Sequence, residues 1–172
     1  RSHGIDPKIA GKIKGKKRWY YEQQEIGYNF RLSDIQAALG LSQMNKLPSF
    51  LMKRNQLAKL YKKKLIKFPL KFQEILPNCK SSYHLFVIQI TDPNFSRDKL
   101  YDFFISNNIG CQVHYIPVHL QPLFRKKGFC KGMYQNSENY FQNCLSLPLH
   151  QRLNETDVEF VCAKLDEFFG LN

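Results

Sequence analysis

Asn29 and Arg31 stand two residues apart in the run Gly27-Tyr28-Asn29-Phe30-Arg31-Leu32-Ser33, directly ahead of a helix start. Binding groups tend to sit on loops held by a rigid element, and an amide beside a guanidinium offers donors to an anionic oxygen. An ordinary surface loop before an ordinary core helix fits the same spacing. A second group is His84, His114, Tyr115 and His119. His114 and His119 fall on opposite faces of a strand, and Pro117 interrupts any helix, so no zinc pair is expected. His84 lies in an apolar stretch and reads as a hydrogen-bonded core histidine before it reads as a catalyst. The five cysteines, Cys79, Cys111, Cys130, Cys144 and Cys162, are odd in number and contain no C-x-x-C pair. They fit reduced thiols, mostly small buried hydrophobes, and neither a disulfide framework nor a metal site. Gly11, Gly15 and Gly27 match no phosphate-loop or dinucleotide pattern, and no serine nucleophile elbow is present. Taken by themselves, these residues give a polar His–Tyr cluster and no reaction.

The elements that must position them follow from caps and periodicity. Ser33 with Gln36 makes a capping box, Asp34 suits the positive end of the helix, and Ile35, Ala38 and Leu39 form one stripe. That helix runs from Asp34 to about Lys46, and Pro48 predicts a break at Leu47. A second helix from Pro48 to about Ile66 carries Phe50, Leu51, Leu57, Ala58, Tyr61 and Leu65 on one face and lysines on the others. A short strand and a turn are expected over 69–78, and a central strand over Tyr83–Thr91. A helix from Arg97 to Asn107 ends at Asn108 and Gly110, which tolerate the left-handed conformation. Cys111–Ile116 reads as a further strand closed by Pro117. Irregular structure then leads to a helix around Ser137–Gln142, a strand at Leu145–Leu147, and a last helix capped by Asn154 with the stripe Val158, Val161, Leu165 and Phe168. This order predicts a small α/β or α+β layer. Residues 1–18, rich in Gly and Lys, read as a loop or extended lead-in. Trp19, Tyr20 and Tyr21 pack either on a neighbouring domain or subunit or on the following helix.

With 43% hydrophobic and 14% aromatic residues, the 172-residue chain can bury a core of ordinary size. No apolar run approaches the roughly 20 residues of a membrane span, and no signal peptide is visible, so a cytoplasmic protein without a membrane partner is expected. The net charge of +12 comes from 19 lysines and 7 arginines against 14 acidic residues. A solvated basic face, a nucleic-acid patch, and a surface for an acidic partner or a further part of the protein all fit it. The lysine excess and the lack of any nucleic-acid motif favour the first.

Gly27 through Leu47, with Trp19-Tyr20-Tyr21-Glu22 before it, resembles the G-Y-N-Y-R-x-S/T-D-x-Q-A-A segment of the DegT/StrS sugar aminotransferases. Three later segments agree in order: Ser82 to Ile88, Gly110 to His119, and Cys144 to Leu149. Within the family, the likeness runs to the pseudaminic acid branch, whose members act on a UDP-linked 4-keto-6-deoxy-N-acetyl hexose. The resemblance implies pyridoxal phosphate as cofactor, L-glutamate as amino donor and a homodimer, with no nucleic-acid partner. It implies the C-terminal small domain of a fold-type I aminotransferase, in which long helices precede a small sheet packed with helices. Residues 1–32 would be a lead-in from a large cofactor domain, 33–68 a helical connector, and 69–172 the small domain.

The family's Schiff-base lysine lies in an upstream motif, just before an R-x-H-G that Arg1-Ser2-His3-Gly4 matches, and no lysine here has that context. No catalytic residue is therefore expected in these residues, and the chain alone is expected to be inactive. Asn29 matches the asparagine that reaches the phosphate of the partner subunit's cofactor. Arg31, His114 and Tyr115 match substrate-side positions, and Phe30 replaces a common tyrosine. A non-catalytic basic binding or regulatory module is the other reading of the same family likeness.

Overall fold

The computed structural model describes residues 2–170, so Arg1 of the R-x-H-G match and the last two residues lie outside it. The chain divides into two compact units, Arg1–Leu47 and Pro48–Asn172.

In the first unit the lead-in is not a free arm. Ser2 bridges Asn29 and Ile5 bridges Gln23 in antiparallel sense, with His3 donating to the Tyr28 carbonyl at 2.9 Å and Gln24 to that of Gly4 at 2.8 Å. Gly4 and Gly27 cross so closely that a Cβ on Gly27 would collide with the Gly4 backbone, and one on Gly4 with Glu25. Both positions need glycine for that contact, and Gly4 also has φ +72°. Helix α1, Asp34–Met44, starts at the expected capping box: Gln36 N–H donates to Ser33 Oγ at 3.4 Å, and Ser33 N–H to Gln36 Oε1 at 3.0 Å. No residue of α1 is buried. Its stripe of Ile35 and Leu39 meets water.

The second unit holds the core. Helix α2, Leu47–Leu65, follows a two-residue break after Met44 and buries Leu57, Ala58, Tyr61 and Leu65. Strands β1 (Leu70–Phe72), β2 (Phe86–Ile90) and β3 (Cys144–Leu147) form one antiparallel sheet in that order. Along β2, Phe86, Ile88 and Ile90 are buried and Val87 and Gln89 half-buried, the period of a sheet with one face on the core. Helices α3 (Arg97–Ser106) and α6 (Glu155–Phe169) add Leu100, Phe104, Val158, Val161, Leu165 and Phe169 to that core. Two short helices, α4 (Pro122–Arg125) and α5 (Gln135–Asn143), lie between Val118 and β3. The result is the expected mixed layer of helices on a small sheet. Tyr61 stacks on Phe86 with centroids 4.9 Å apart, and its hydroxyl donates to the Pro148 carbonyl at 3.1 Å.

Three expectations are corrected. Cys111–Ile116 is not a strand: its backbone pairs with the sheet at one bridge, Gln112 to Ser146. Val113 stays half-buried while Tyr115 and Ile116 turn out to solvent, and Pro117 removes a donor at the end of the segment. His84 is exposed, not a core histidine, because the chain turns at Tyr83 (φ +44°) before β2 begins at Phe86. The left-handed residue after α3 is Asn108, with φ +57°, and Gly110 is not among the positive-φ glycines.

Candidate functional site

Asn29 and Arg31 come together. Arg31 Nε donates to Asn29 Oδ1 at 2.8 Å, so the acceptor end of the amide is taken by the guanidinium and the NH2 end is left as a donor. The Ser2 bridge fixes the Asn29 backbone, and Tyr28 stacks on Phe30 at 5.1 Å across it. Both polar residues are exposed. What they present is a donor-only, positively charged set, suited to an oxyanion such as a phosphate and unsuited to a cation.

His114 and Tyr115 form a second pair, in the other unit. His114 Nδ1 lies 2.8 Å from Ser146 Oγ, and the Tyr115 ring sits edge-on to the imidazole at 4.7 Å. The peptide bond joining them is cis. Ser146 is buried in β3 and also exchanges both backbone bonds with Gln112, at 3.3 and 2.8 Å. One strand residue thus fixes the imidazole and the chain that carries it. Tyr115 is 73% exposed.

The third arrangement is one that residue spacing did not reveal. His119 Nε2 and Glu138 Oε1 are 2.8 Å apart, and both residues are buried. Both carboxylate oxygens also accept from the Gly132 N–H, at 2.8 and 3.0 Å. The His119 hydrogen bond, aided by that of Gly132, holds the Glu138 carboxyl below the usual carboxylate range. Since an ionised carboxylate only accepts, Nε2 carries the hydrogen. The Tyr134 ring covers His119 edge-on at 4.8 Å. One signal was available, because Glu138 is the only carboxylate between Asp102 and Glu155. His84 lines a cleft of about 590 Å³ on the other face of the sheet, with Ser81, Ser82, Gln89 and Tyr140.

No cluster of three metal-ligating residues occurs among the described residues, and no described helix is long and apolar enough to cross a membrane.

A model of the family described as the DegT/DnrJ/EryC1/StrS aminotransferase family matches residues 1–166. A UDP-4-amino-4,6-dideoxy-N-acetyl-beta-L-altrosamine transaminase of Campylobacter jejuni is 38% identical over 94% of this chain and 41% of its own length. Among solved structures, Helicobacter pylori PseC, an aminotransferase involved in the biosynthesis of pseudoaminic acid, aligns over 100% of this chain and 44% of its own, with TM-score 0.78 and 31% identity. The putative sugar aminotransferase Spr1654 of Streptococcus pneumoniae, in its PMP form, aligns over 97% of this chain and 42% of its own, with TM-score 0.83 and 24% identity, and so shares the fold. The chain spans about two fifths of the length of these proteins.

Proposed function

Because the chain belongs to the DegT/DnrJ/EryC1/StrS aminotransferase family, we propose that it is the C-terminal region of a cytoplasmic, homodimeric sugar-nucleotide transaminase. The intact enzyme takes an amino group from L-glutamate and delivers it to a UDP-linked 4-keto-6-deoxy-N-acetyl hexose; the name of one relative, a UDP-4-amino-4,6-dideoxy-N-acetyl-altrosamine transaminase, supports the sugar, and the donor rests on the family likeness alone. Residues 1–32 are assigned to the lead-in, 33–68 to the connector and 69–172 to the small domain. None of the 19 lysines stands in the family's lysine motif, so the lysine that anchors the cofactor is assigned to a preceding segment.

The observation that carries this reading is the Arg31–Asn29 bond, because it makes the amide a one-sided donor beside a fixed positive charge. That set fits the phosphate of pyridoxal phosphate. When bound, the cofactor supplies an electron sink and carries the amino group between the two half-reactions. Asn29 Nδ2 donates to a phosphate oxygen held mainly by the other subunit. Arg31 orients that amide and adds a positive charge to the same anion. His114, with Nδ1 engaged by Ser146, keeps Nε2 for a substrate group, and the exposed Tyr115 provides a ring face and a hydroxyl to the nucleotide sugar.

Replacing Asn29 by Asp keeps size and shape but removes the donor and sets a negative charge beside a phosphate. A charge-assisted hydrogen bond is worth about 1.5–3 kcal/mol, so cofactor affinity of the intact enzyme should fall about ten- to a hundredfold or more. Asn29→Ala should be milder, since it adds no repulsion. Mixing Asn29→Asp subunits with subunits lacking the anchoring lysine tests the cross-subunit role. Each parent is impaired at both sites, while a mixed dimer has one site free of both defects and should recover activity. If no mixture exceeds its parents, Asn29 serves its own subunit or only shapes the loop.

A further inference from the structure

We propose that the buried His119–Glu138 pair is a positioning device for Tyr115, acting on binding of the nucleotide sugar and not on the amino-donor half-reaction. The inference rests on the activity proposed above. The segment that carries Tyr115 leaves the sheet at Gln112 and is pinned at two points. The first is Ser146, which bonds Gln112 through its backbone and His114 Nδ1 through its side chain at 2.8 Å. The second is His119, whose ring is tied to Glu138 at 2.8 Å. Between the pins Tyr115, Ile116 and Val118 are exposed, at 73%, 50% and 62%, and make no hydrogen bonds through their side chains among the described residues. Pro117 is buried between them and accepts from the Leu120 N–H at 2.9 Å, within the turn that carries His119, so Tyr115 and Ile116 take their position from Ser146 on one side and from the His119 turn on the other.

The second pin gathers three pieces of chain at one carboxylate: the 3-10 turn Val118–Leu120 through His119, the turn at Gly132 through its N–H, and helix α5 through Glu138 itself. An apolar contact would fill the same space, but it would not fix direction. A buried carboxylate with a satisfied donor on each side does. Asp102 and Glu155, the nearest carboxylates in sequence, lie on α3 and α6, and among the described residues neither bonds His119 or Gly132, so Glu138 is the acceptor there.

In the intact enzyme, Glu138→Gln turns one of the two converging donors against an NH2 group. The KM for the UDP-linked keto sugar should rise about tenfold, as small misplacements of binding groups do. The rate of the L-glutamate half-reaction, measured by single turnover, should stay within about twofold of wild type. Amide hydrogen exchange over residues 112–121 should quicken, while α6 keeps its protection. His119→Phe should reproduce both effects, and His119→Gln, which retains an N–H for Glu138, should restore most of the wild-type KM. Equal losses in both half-reactions, or unchanged exchange over 112–121, would overturn the proposal. If the wild-type enzyme aminates no UDP-linked keto sugar, the proposed activity fails, and the exchange comparison with the His119→Gln rescue then decides whether the pair positions this segment.

Discussion

At the scale of single residues, the carboxyl of Glu138 sets a pH dependence whose sign is fixed. Its folded value lies below the unfolded one of about 4.3, so its contribution is present above that pH and is lost as pH falls through the folded value. The melting temperature of Glu138→Gln should therefore lie below that of wild type near neutrality, with the gap closing in acid. A gap that widens below pH 4 would contradict the assigned direction. The cysteines give a second check. Burial pushes the Cys111 and Cys162 thiols up to about 11 and raises that of Cys144, whereas Cys79 and Cys130 are exposed. In mass spectra of iodoacetamide-treated protein, Cys79 and Cys130 should be modified first and Cys162 last. The expectation of mostly buried cysteines is corrected, since only Cys144 and Cys162 are buried and Cys79 and Cys130 are exposed. The His119–Glu138 pair was not legible in the sequence, because its partners are separated by the α4 excursion and neither has a periodic neighbour. His84 was misplaced for a related reason: an apolar run does not announce that its first residues turn outward at Tyr83.

At the scale of elements, caps and stripes were readable because they are local. Ser33 with Gln36 and Asn154 with Asp157 both form full capping boxes, and Asn154→Ala should cost about 1 kcal/mol in urea unfolding. The lysines of α2 were harder to read. They follow the apolar stripe as a solvated face would, yet Lys64 meets Glu159 at 2.9 Å, and Lys67, just past the end of α2, meets Asp166, so part of the charge joins this stretch to α6. Arg54 on α2 was not foreseen as structural. Its Nη1 donates to the carbonyls of Tyr83, His84 and Leu149 at 2.8, 3.1 and 3.0 Å, joining the approach to β2 to the chain after β3. Arg54→Met fills similar space but leaves those carbonyls unmet, and stability should drop by about 3 kcal/mol with the urea m-value unchanged. Such contacts link residues far apart in sequence, and no periodicity encodes them. The segment after Ile109 failed as a strand for the complementary reason, since its composition fits a strand while its backbone pairing stops at one bridge.

For the molecule as a whole, the two units present very different surfaces. Pro48–Asn172 buries a contiguous core, whereas α1 buries nothing and leaves Ile35 at 82%, Leu39 at 61% and Leu41 at 67% exposure. Ile26, Tyr28 and Phe30 of the same unit are exposed as well. Surfaces of this kind mark contact sites, and the isolated 172-residue chain should self-associate through them. Its net charge of +12 opposes that association at low ionic strength, so the sedimentation coefficient should rise with salt as repulsion is screened. Trp19, 75% exposed in the single chain, should emit as a water-facing indole in the monomer and shift to shorter wavelength on association. A chain that remains monomeric at high concentration and high salt would show that this surface does not associate with itself. The family was legible because four motifs recur in order. The size of the exposed face was not, since a stripe such as Ile35, Ala38 and Leu39 predicts burial without naming what does the burying.

The crossing of Gly4 over Gly27 has a mechanical consequence. Two backbones in contact, with no side chain between them to deform, behave as a stiff joint. A shift of residues 2–5 is therefore passed to the loop that ends in Asn29 with little loss, like motion through a linkage without play. Alanine at either position would push the two segments apart, and the signature would be a change at Asn29 and Arg31 greater than at α1, readable as altered side-chain amide resonances of Asn29.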